Sequence, residues 1–359
     1  MPTFCRHNRF LERCPICSKS LPGQDSSAGP SRRASASRGP AGEKAVRRRA
    51  PRGVEVKVRR EDRALNDGYS CELLPGVHAS ADAHRLAEEI AFSSGRLLAL
   101  AASPPGLYAE ARALGREDLE LATWICFLIA YISPLQGEAP FAGIALALAG
   151  APEAHAGGEL PDLAEIPLGP HSSHDPARGS ATLLAYRQWV ARAGCPARNE
   201  SREGAAVDGA AGAGAGARGG AQANALSGDR SWSAERRFER IFERLALPGF
   251  ARIGRYEFLL ALGRLELYEM RPDSLYLGGA RGFSADDPTT LAAKRLFAIG
   301  DPLLLERRAA ALAEAISVPV ETLDLALANW ASPPRATRGF PAGICDEEAL
   351  ERAVGALGL

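Results

Sequence analysis

The stretch Leu247-Pro-Gly-Phe-Ala-Arg-Ile-Gly254 lies between two segments with helical periodicity. Pro248 and Gly249 stop the first helix, and Gly254 stands where a second helix, predicted over 255–268, would begin. Glycine lets the backbone approach a phosphate group closely, and the free N–H groups of a helix N-terminus favour an anion. The stretch therefore predicts a helix-hairpin-helix motif, which contacts a nucleic-acid backbone and not the base edges. The residues expected to contact DNA here are Gly249, Phe250, Gly254 and Arg255.

Apolar residues recur at three- and four-residue spacing through most of the chain, which indicates helices. The predicted helices cover 84–102, 117–132, 180–193, 234–247, 255–268, 288–298, 302–316, 320–331 and 346–357. Asp287-Pro288 and Asp301-Pro302 each have the form of an N-cap followed by a proline at the first helical position. Only 54–58 alternates like a strand. We therefore predict a mainly all-α protein.

Changes in composition divide the chain of 359 residues. A segment rich in Ser, Gly, Pro, Ala and Arg follows the N-terminal twenty residues, and it is too polar to form a core. Its basic run, 32–52, has Glu43 as the only acid; it either follows a phosphate backbone or is a solvated linker with no partner. The predicted units are a zinc-knuckle-like module (1–20), a disordered basic linker (21–53), the main domain (54–335) with a disordered Gly/Ala loop (196–231), and a C-terminal helix (336–359).

The 43 basic and 43 acidic residues give a net charge of zero, so the overall charge indicates no class of partner. The N-terminus has polar residues and cysteines where a secretory signal would be apolar. The longest apolar run, 121–135, is too short for a membrane span and is soon followed by Glu138. We expect a soluble, cytoplasmic, nucleoid-associated protein with reduced cysteines and no membrane partner.

The first twenty residues contain four metal-binding side chains with the spacing C-x-H-x6-C-x2-C. The two cysteines of the Cys14-Pro-Ile-Cys17 turn can reach the same ion, as in a zinc knuckle. With four protein ligands the tetrahedron is closed to water, so the zinc would be structural. The alternative is four reduced residues in a tail without metal. The expected ligands are Cys5, His7, Cys14 and Cys17.

Two carboxylates after the hairpin are candidates for chemistry, Asp273 and Asp287. We expect Asp287 to cap a helix whose first turns carry Lys294 and Arg295. A carboxylate at this position can act as a base, and the basic pair can hold phosphate. A simple N-cap for Asp287 and a turn residue for Asp273 are the alternatives.

The order of these features resembles the helix-hairpin-helix DNA glycosylase fold. In this chain the order is an apolar helix ending in Ile132-Ser-Pro-Leu-Gln136, then the hairpin, an aspartate, a basic helix and finally Trp330. Within that fold, four segments resemble the alpha-glutamyl/putrescinyl thymine pyrophosphorylases. These segments are Phe4-Cys-Arg-His-Asn-Arg-Phe10, Cys14-Pro-Ile-Cys17, Ser133-Pro-Leu-Gln-Gly137 and 287–301. The resemblance covers 80–195, 232–335 and the first twenty residues.

The resemblance implies thymine hypermodification in DNA. A 5-hydroxymethyluracil base activated as its pyrophosphate would lose pyrophosphate while an amine or amino acid is attached. The reaction requires double-stranded DNA with the base extruded, a carboxylate, and cations for the leaving pyrophosphate. The number of residues between the hairpin glycine Gly249 and the aspartate of the superfamily favours Asp273 as the carboxylate. The basic helix and the distance to Trp330 favour Asp287, which we prefer. The expected cations are Lys294, Arg295 and Arg271, and Gln136 is expected to reach into the duplex.

The sequence departs from the bifunctional glycosylases, because no lysine follows the hairpin glycines to form a Schiff base. No set of cysteines for an iron–sulfur cluster follows the domain either. Two other functions stay open at this point. One is a monofunctional DNA glycosylase that uses the same aspartate, and the other is a DNA-binding protein without catalytic activity.

Overall fold

The part of the chain that the structure describes is built from helices. The computed structural model describes residues 64–193, 220–277 and 287–359, and these contain no strand, which confirms the all-α prediction. Their α-helices are α1 (Ser80–Ala102), α2 (Leu107–Leu114), α3 (Leu119–Ile132), α4 (Ala142–Gly150), α5 (Ala181–Ala193), α6 (Ala221–Ser227), α7 (Ala234–Arg244), α8 (Arg252–Arg264), α9 (Pro288–Phe297), α10 (Pro302–Ile316), α11 (Thr322–Ala331) and α12 (Glu347–Leu357).

The sequence periodicity located most of these helices. The bounds of α10 are those predicted, and both Asp-Pro pairs cap a helix as expected. Three helices were missed: α2 and α4 have only 8 and 9 residues, too few for a clear periodic pattern, and α6 lies inside the segment predicted as a disordered loop. That prediction is therefore wrong for residues 221–227.

The helices pack in two groups. In one group, α1 packs against α11 and α12, while α9 and α10 pack against each other and against α11. In the other, α3 packs against α2, α4, α6 and α8, and α5 packs against α6. Helix α8 also contacts α1, so it connects the two groups. Residues of both groups can therefore meet around α8.

Helices α3 and α8 are buried on all sides for most of their length. Phe127 of α3 stacks on Tyr186 with ring centroids 3.9 Å apart and meets Phe258 edge-on at 5.7 Å. Offset-stacked and edge-on aromatic pairs add about 1 kcal/mol each beyond the area they bury. This aromatic core holds the middle of α3 against α5 and α8. None of the described helices is both long and apolar enough to span a bilayer.

The C-terminal helix packs into the main domain instead of forming a separate unit. Helix α12 lies against α1 and α10, and the described residues all belong to one compact unit. Ser94 donates a hydrogen bond to the carboxylate of Asp346 at 2.6 Å. A Cβ added to Gly95 would lie 2.9 Å from the backbone carbon of Cys345, so the close contact requires glycine. The predicted boundary at 336 is therefore not a domain boundary.

Several predictions fall on other parts of the chain. The N-terminal module, the basic linker, the strand at 54–58 and residues 196–219 of the Gly/Ala loop lie outside the described residues.

Candidate active site

The hairpin turn between α7 and α8 has the predicted backbone geometry at its centre. Gly249 has φ +80°, a value that favours glycine, and a Cβ there would lie 2.2 Å from the hydroxyl of Thr182. The same hydroxyl donates a hydrogen bond to the carbonyl of Pro248 at 3.0 Å. Pro248 and Ala251 are exposed, and no side chain caps the N-terminus of α8. The turn therefore reaches the surface, whereas the first residues of α8 are buried.

The residues that follow the turn face the interior. Helix α8 begins at Arg252, three residues earlier than predicted, so Gly254 lies inside its first turn. A Cβ on Gly254 would lie 2.3 Å from the hydroxyl oxygen of Ser173. Arg255 donates to the carbonyl of Phe242 at 3.0 Å, with its guanidinium over that ring. Because Phe250, Gly254 and Arg255 are all buried, the structure argues against the predicted DNA contacts of these three residues.

Arg252 is the centre of a buried hydrogen-bond network that the sequence did not predict. Its Nε donates to the Asp287 carboxylate at 2.9 Å, and its Nη2 donates to the hydroxyl of Thr289 at 2.8 Å and to Asp324. Its Nη1 donates to the carbonyl of Leu275 at 2.8 Å. Burial raises the pKa of Asp324 to about 6 despite this pairing. The network ties α8 to α9 and α11.

Asp287 keeps one carboxylate oxygen free. Its Oδ2 accepts hydrogen bonds from the backbone N–H of Thr290 at 2.8 Å, from the Thr290 hydroxyl at 2.6 Å and from Arg252. Its Oδ1 is buried and has no hydrogen-bond partner among the described residues. Unpartnered buried polar atoms are rare in folded proteins, and they occur at sites that bind a ligand or water. The predicted N-cap role is therefore confirmed, and an unused acceptor remains beside it.

A second set of polar side chains comes from the loops after α3 and α11. Arg338 is fully buried, and its Nη1 donates to the hydroxyl of Ser133 at 3.1 Å. The Ser133 hydroxyl in turn donates to the carbonyl of Pro170 at 2.6 Å. The Nε and Nη2 of Arg338 have no partner in the part of the chain that the structure describes.

His171 connects the two sets. Burial and the charge of Arg338 lower its pKa to about 4, while the nearby amide of Asn329 and the charge of Asp287 oppose that shift. Its Nε2 has no partner within residues 64–193, 220–277 and 287–359. The ring is neutral at pH 7 and is only partly buried. His171, Asp287 and Arg338 thus form a candidate site where the two helix groups meet.

The lowered pKa predicts a specific acid sensitivity. As the pH falls from 7 toward 4, the unfolded chain takes up a proton on His171 and the native protein does not, so stability is lost. With a pKa near 4 in the native state and 6.5 in the unfolded state, the loss at pH 5 is about 2 kcal/mol. We therefore compare the free energy of unfolding of His171→Gln with that of the original protein. The difference should be about 2 kcal/mol more favourable to the variant at pH 5 than at pH 7. Urea unfolding at the two pH values tests this, and an equal difference at both would contradict it.

The predicted cations lie elsewhere. Lys294 and Arg295 are in the last turn of α9 and not in its first turns, about 10 Å along the axis from the capping Asp287. The Arg295 guanidinium lies 4.7 Å from the centre of the Trp330 ring. Arg271 is exposed and pairs with Glu235. This placement argues against the expected contact of these three cations with a group bound at Asp287.

The other two predicted side chains are on the surface. Asp273 is exposed and accepts a hydrogen bond from the Tyr276 hydroxyl at 2.7 Å, as expected of a turn residue. Gln136 is exposed and donates to the carbonyl of Arg335, so the loop after α3 is held to the loop after α11. The four predicted zinc ligands lie outside the described residues, and within the described ranges no three His, Cys, Asp or Glu side chains are grouped to hold a metal.

One comparison with known proteins gives a match. Residues 221–340 match the family model of alpha-glutamyl/putrescinyl thymine pyrophosphorylase clade 3. This match confirms the family resemblance. No curated protein and no solved structure matches the chain. The matched segment contains the hairpin, the Arg252 network, Asp273, Asp287 and Arg338, whereas Ser133 and His171 precede it.

Sequence reasoning missed the partners of Asp287, although one signal was present. Helix α11 is buried along almost its entire length but carries Asp324 and Asn329. A polar side chain at a core position needs a buried partner, so each of these two indicated a polar network. The identity of the partners could not be obtained from the pattern, because Arg252 is separated from Asp324 by 72 residues.

Proposed function

We propose that this protein modifies a thymine derivative in DNA. It would displace pyrophosphate from pyrophosphorylated 5-hydroxymethyluracil and attach an amine in its place. The observation that carries the proposal is the free, buried Oδ1 of Asp287, which lies within the segment that matches the pyrophosphorylase family.

The hairpin supports DNA as the substrate. The positive φ of Gly249, the exposed Pro248 and the uncapped N-terminus of α8 suit a helix-hairpin-helix contact with a phosphate. Arg178 lies beside this turn, with its side chain near Gly249. In this proposal the domain has a DNA glycosylase-like fold. The target base leaves the duplex to reach the buried site. Gln136, on the exposed loop after α3, would contact the DNA strand that the base has left.

Asp287 suits the proton transfer that amine attachment requires. A C–N bond forms at the methylene carbon of the base as the C–O bond to pyrophosphate breaks, and the nitrogen loses a proton. The Oδ1 of Asp287 would accept that proton, because Oδ2 is already occupied by three donors. Arg252 and the N-terminus of α9 favour the negative charge of the carboxylate until then.

We also propose that Cys5, His7, Cys14 and Cys17 bind one structural zinc ion, on the basis of their spacing. Elemental analysis of the purified chain would refute this if it found no zinc.

A second candidate uses the same residues. A monofunctional glycosylase would also need a carboxylate at a helix N-terminus beside the hairpin, there to stabilise positive charge on the sugar. The free Oδ1 of Asp287 suits that role as well.

The reaction itself distinguishes the candidates. The purified protein is incubated with a duplex that contains pyrophosphorylated 5-hydroxymethyluracil and with a panel of amines and amino acids. We expect release of pyrophosphate and a new nucleoside mass equal to the base plus the amine, detected by mass spectrometry. A duplex with unmodified 5-hydroxymethyluracil is the matched control and should give neither product.

Abasic sites without a new adduct would favour the glycosylase. DNA binding with no product from either duplex would contradict both enzymatic candidates and favour a non-catalytic DNA-binding protein.

A further inference from the structure

Arg338 carries a buried positive charge that no carboxylate of the described residues neutralises by contact. Its side chain is fully buried, and the one hydrogen bond that it makes with a described residue goes to the neutral hydroxyl of Ser133. Burying an unpaired guanidinium costs several kcal/mol, because the charge loses its hydration. A fold tolerates such a cost where the charge serves another purpose.

Two buried acids that share a neighbour with Arg338 are already paired with other arginines: Tyr108 senses the charges of both Glu257 and Arg338, and His171 those of both Asp287 and Arg338. Glu257 accepts from Arg96 at 2.5 Å, and Asp287 accepts from Arg252 at 2.9 Å. These buried carboxylates thus form ion pairs with Arg96 and Arg252, while Arg338 has no counter-ion among the described residues.

The free donors of Arg338 have a geometry that selects the partner. The Nε–H and the adjacent Nη2–H of a guanidinium point in the same direction and form a two-donor fork. Both are unpartnered in Arg338, whereas Nη1, on the other side, is used for Ser133. A fork of this kind matches two oxygens of a phosphate or carboxylate group.

The neighbouring groups favour an anion as the ligand. Ser133 holds Arg338 by accepting its Nη1–H, and it is itself held by the carbonyl of Pro170. The Nε2 of His171, whose ring feels the charge of Arg338, is unpartnered. The neutral His171 ring, with its proton on Nε2, would donate a hydrogen bond to a bound anion.

We propose that Arg338 is the anion receptor of this site and binds a phosphoryl group through its Nε and Nη2. The inference rests on the proposed function for the origin of that group, which would be the pyrophosphate leaving group. Arg338 then takes the role that the sequence had assigned to Lys294 and Arg295.

The test measures binding of sodium pyrophosphate to the purified full chain by calorimetry. We expect the original protein to bind it and Arg338→Met to bind at least about 30-fold more weakly, because a charge-assisted two-donor contact is lost. Arg338→Lys keeps the positive charge but not the fork, and we expect it to bind with intermediate affinity. Arg335→Lys is the matched control, since Arg335 lies in the same loop but pairs with Glu89, and its affinity should not change.

Stability gives an independent readout. If Arg338 served only to hold the Ser133 loop, Arg338→Met would destabilise the protein. If it is an anion receptor, removal of an unpaired buried charge leaves the urea midpoint equal or higher. A lower midpoint together with unchanged pyrophosphate binding would overturn the inference, as would absence of pyrophosphate binding by the original protein. A third outcome separates the two proposals: Arg338→Met loses pyrophosphate binding, but the original protein gives no DNA product in the reaction assay. That outcome would refute the proposed function and leave the anion-receptor inference standing.

Discussion

Replacing Asp287 with asparagine should lower the rate of amine attachment by about 10²–10⁴-fold, the contribution typical of a positioned general base. Asparagine keeps an acceptor for the backbone N–H of Thr290, so α9 stays capped. The amide cannot accept a proton from the incoming amine, so the proposed step at Oδ1 is blocked. The rate is measured under single-turnover conditions from the mass of the modified nucleoside.

Two aspartates provide controls. Asp301 caps α10 through the same Asp-Pro arrangement but is exposed, so Asp301→Asn reports the effect of changing a cap alone. Asp273→Asn tests the other candidate for the carboxylate, and we expect it to keep near-normal activity because Asp273 lies on the surface. A large loss in Asp273→Asn with little change in Asp287→Asn would reverse the assignment. Unfolding curves of each variant separate a lost activity from a lost fold.

Replacing Arg252 with methionine should destabilise the protein by about 3–5 kcal/mol, the cost of leaving buried carboxylates without their partner. Asp287 and Asp324 would both lose an ion pair in a site from which water is excluded. The carbonyl of Leu275 would lose its donor as well. Urea unfolding at pH 7 measures the change.

The pH dependence of this loss provides a second check. The pKa of Asp324 is about 6 with Arg252 present, and removal of that positive charge raises it further. The variant then holds Asp324 protonated at pH 5, so the loss of stability should be smaller at pH 5 than at pH 7. Arg271→Met is the control, because Arg271 pairs with Glu235 on the surface, and its urea midpoint should not change measurably. Equal midpoints for the two variants would contradict the central role of Arg252.

The hairpin illustrates how far the sequence could be interpreted. The L-P-G triplet predicted a turn, and Gly249 has the positive φ that the turn requires. The pattern did not reveal that α8 starts at Arg252 or that Arg255 faces inward. A buried helix is apolar or paired on every side, so periodicity gives no direction for its polar residues.

The candidate site was located in part from the sequence. Asp287 was identified from its position before Pro288, and this cap is a local interaction within three residues. Its partner Arg252 is 35 residues away, and Arg338 reaches Ser133 across 205 residues. Such contacts depend on how the helices pack, and neither charge nor spacing in the sequence encodes that directly.

The sequence by itself determined the helical class of the described domain, the helix starts at Asp287 and Asp301, the hairpin turn and the family resemblance. All of these depend on interactions between residues close in the chain or on a motif of fixed spacing. Only the tertiary structure decided which charged side chains are buried together. Among the described residues, it also decided which oxygen of Asp287 is free and that Arg338 lacks a counter-ion. The physical reason is that burial removes water from charges, so their partners are selected where helices distant in sequence come into contact.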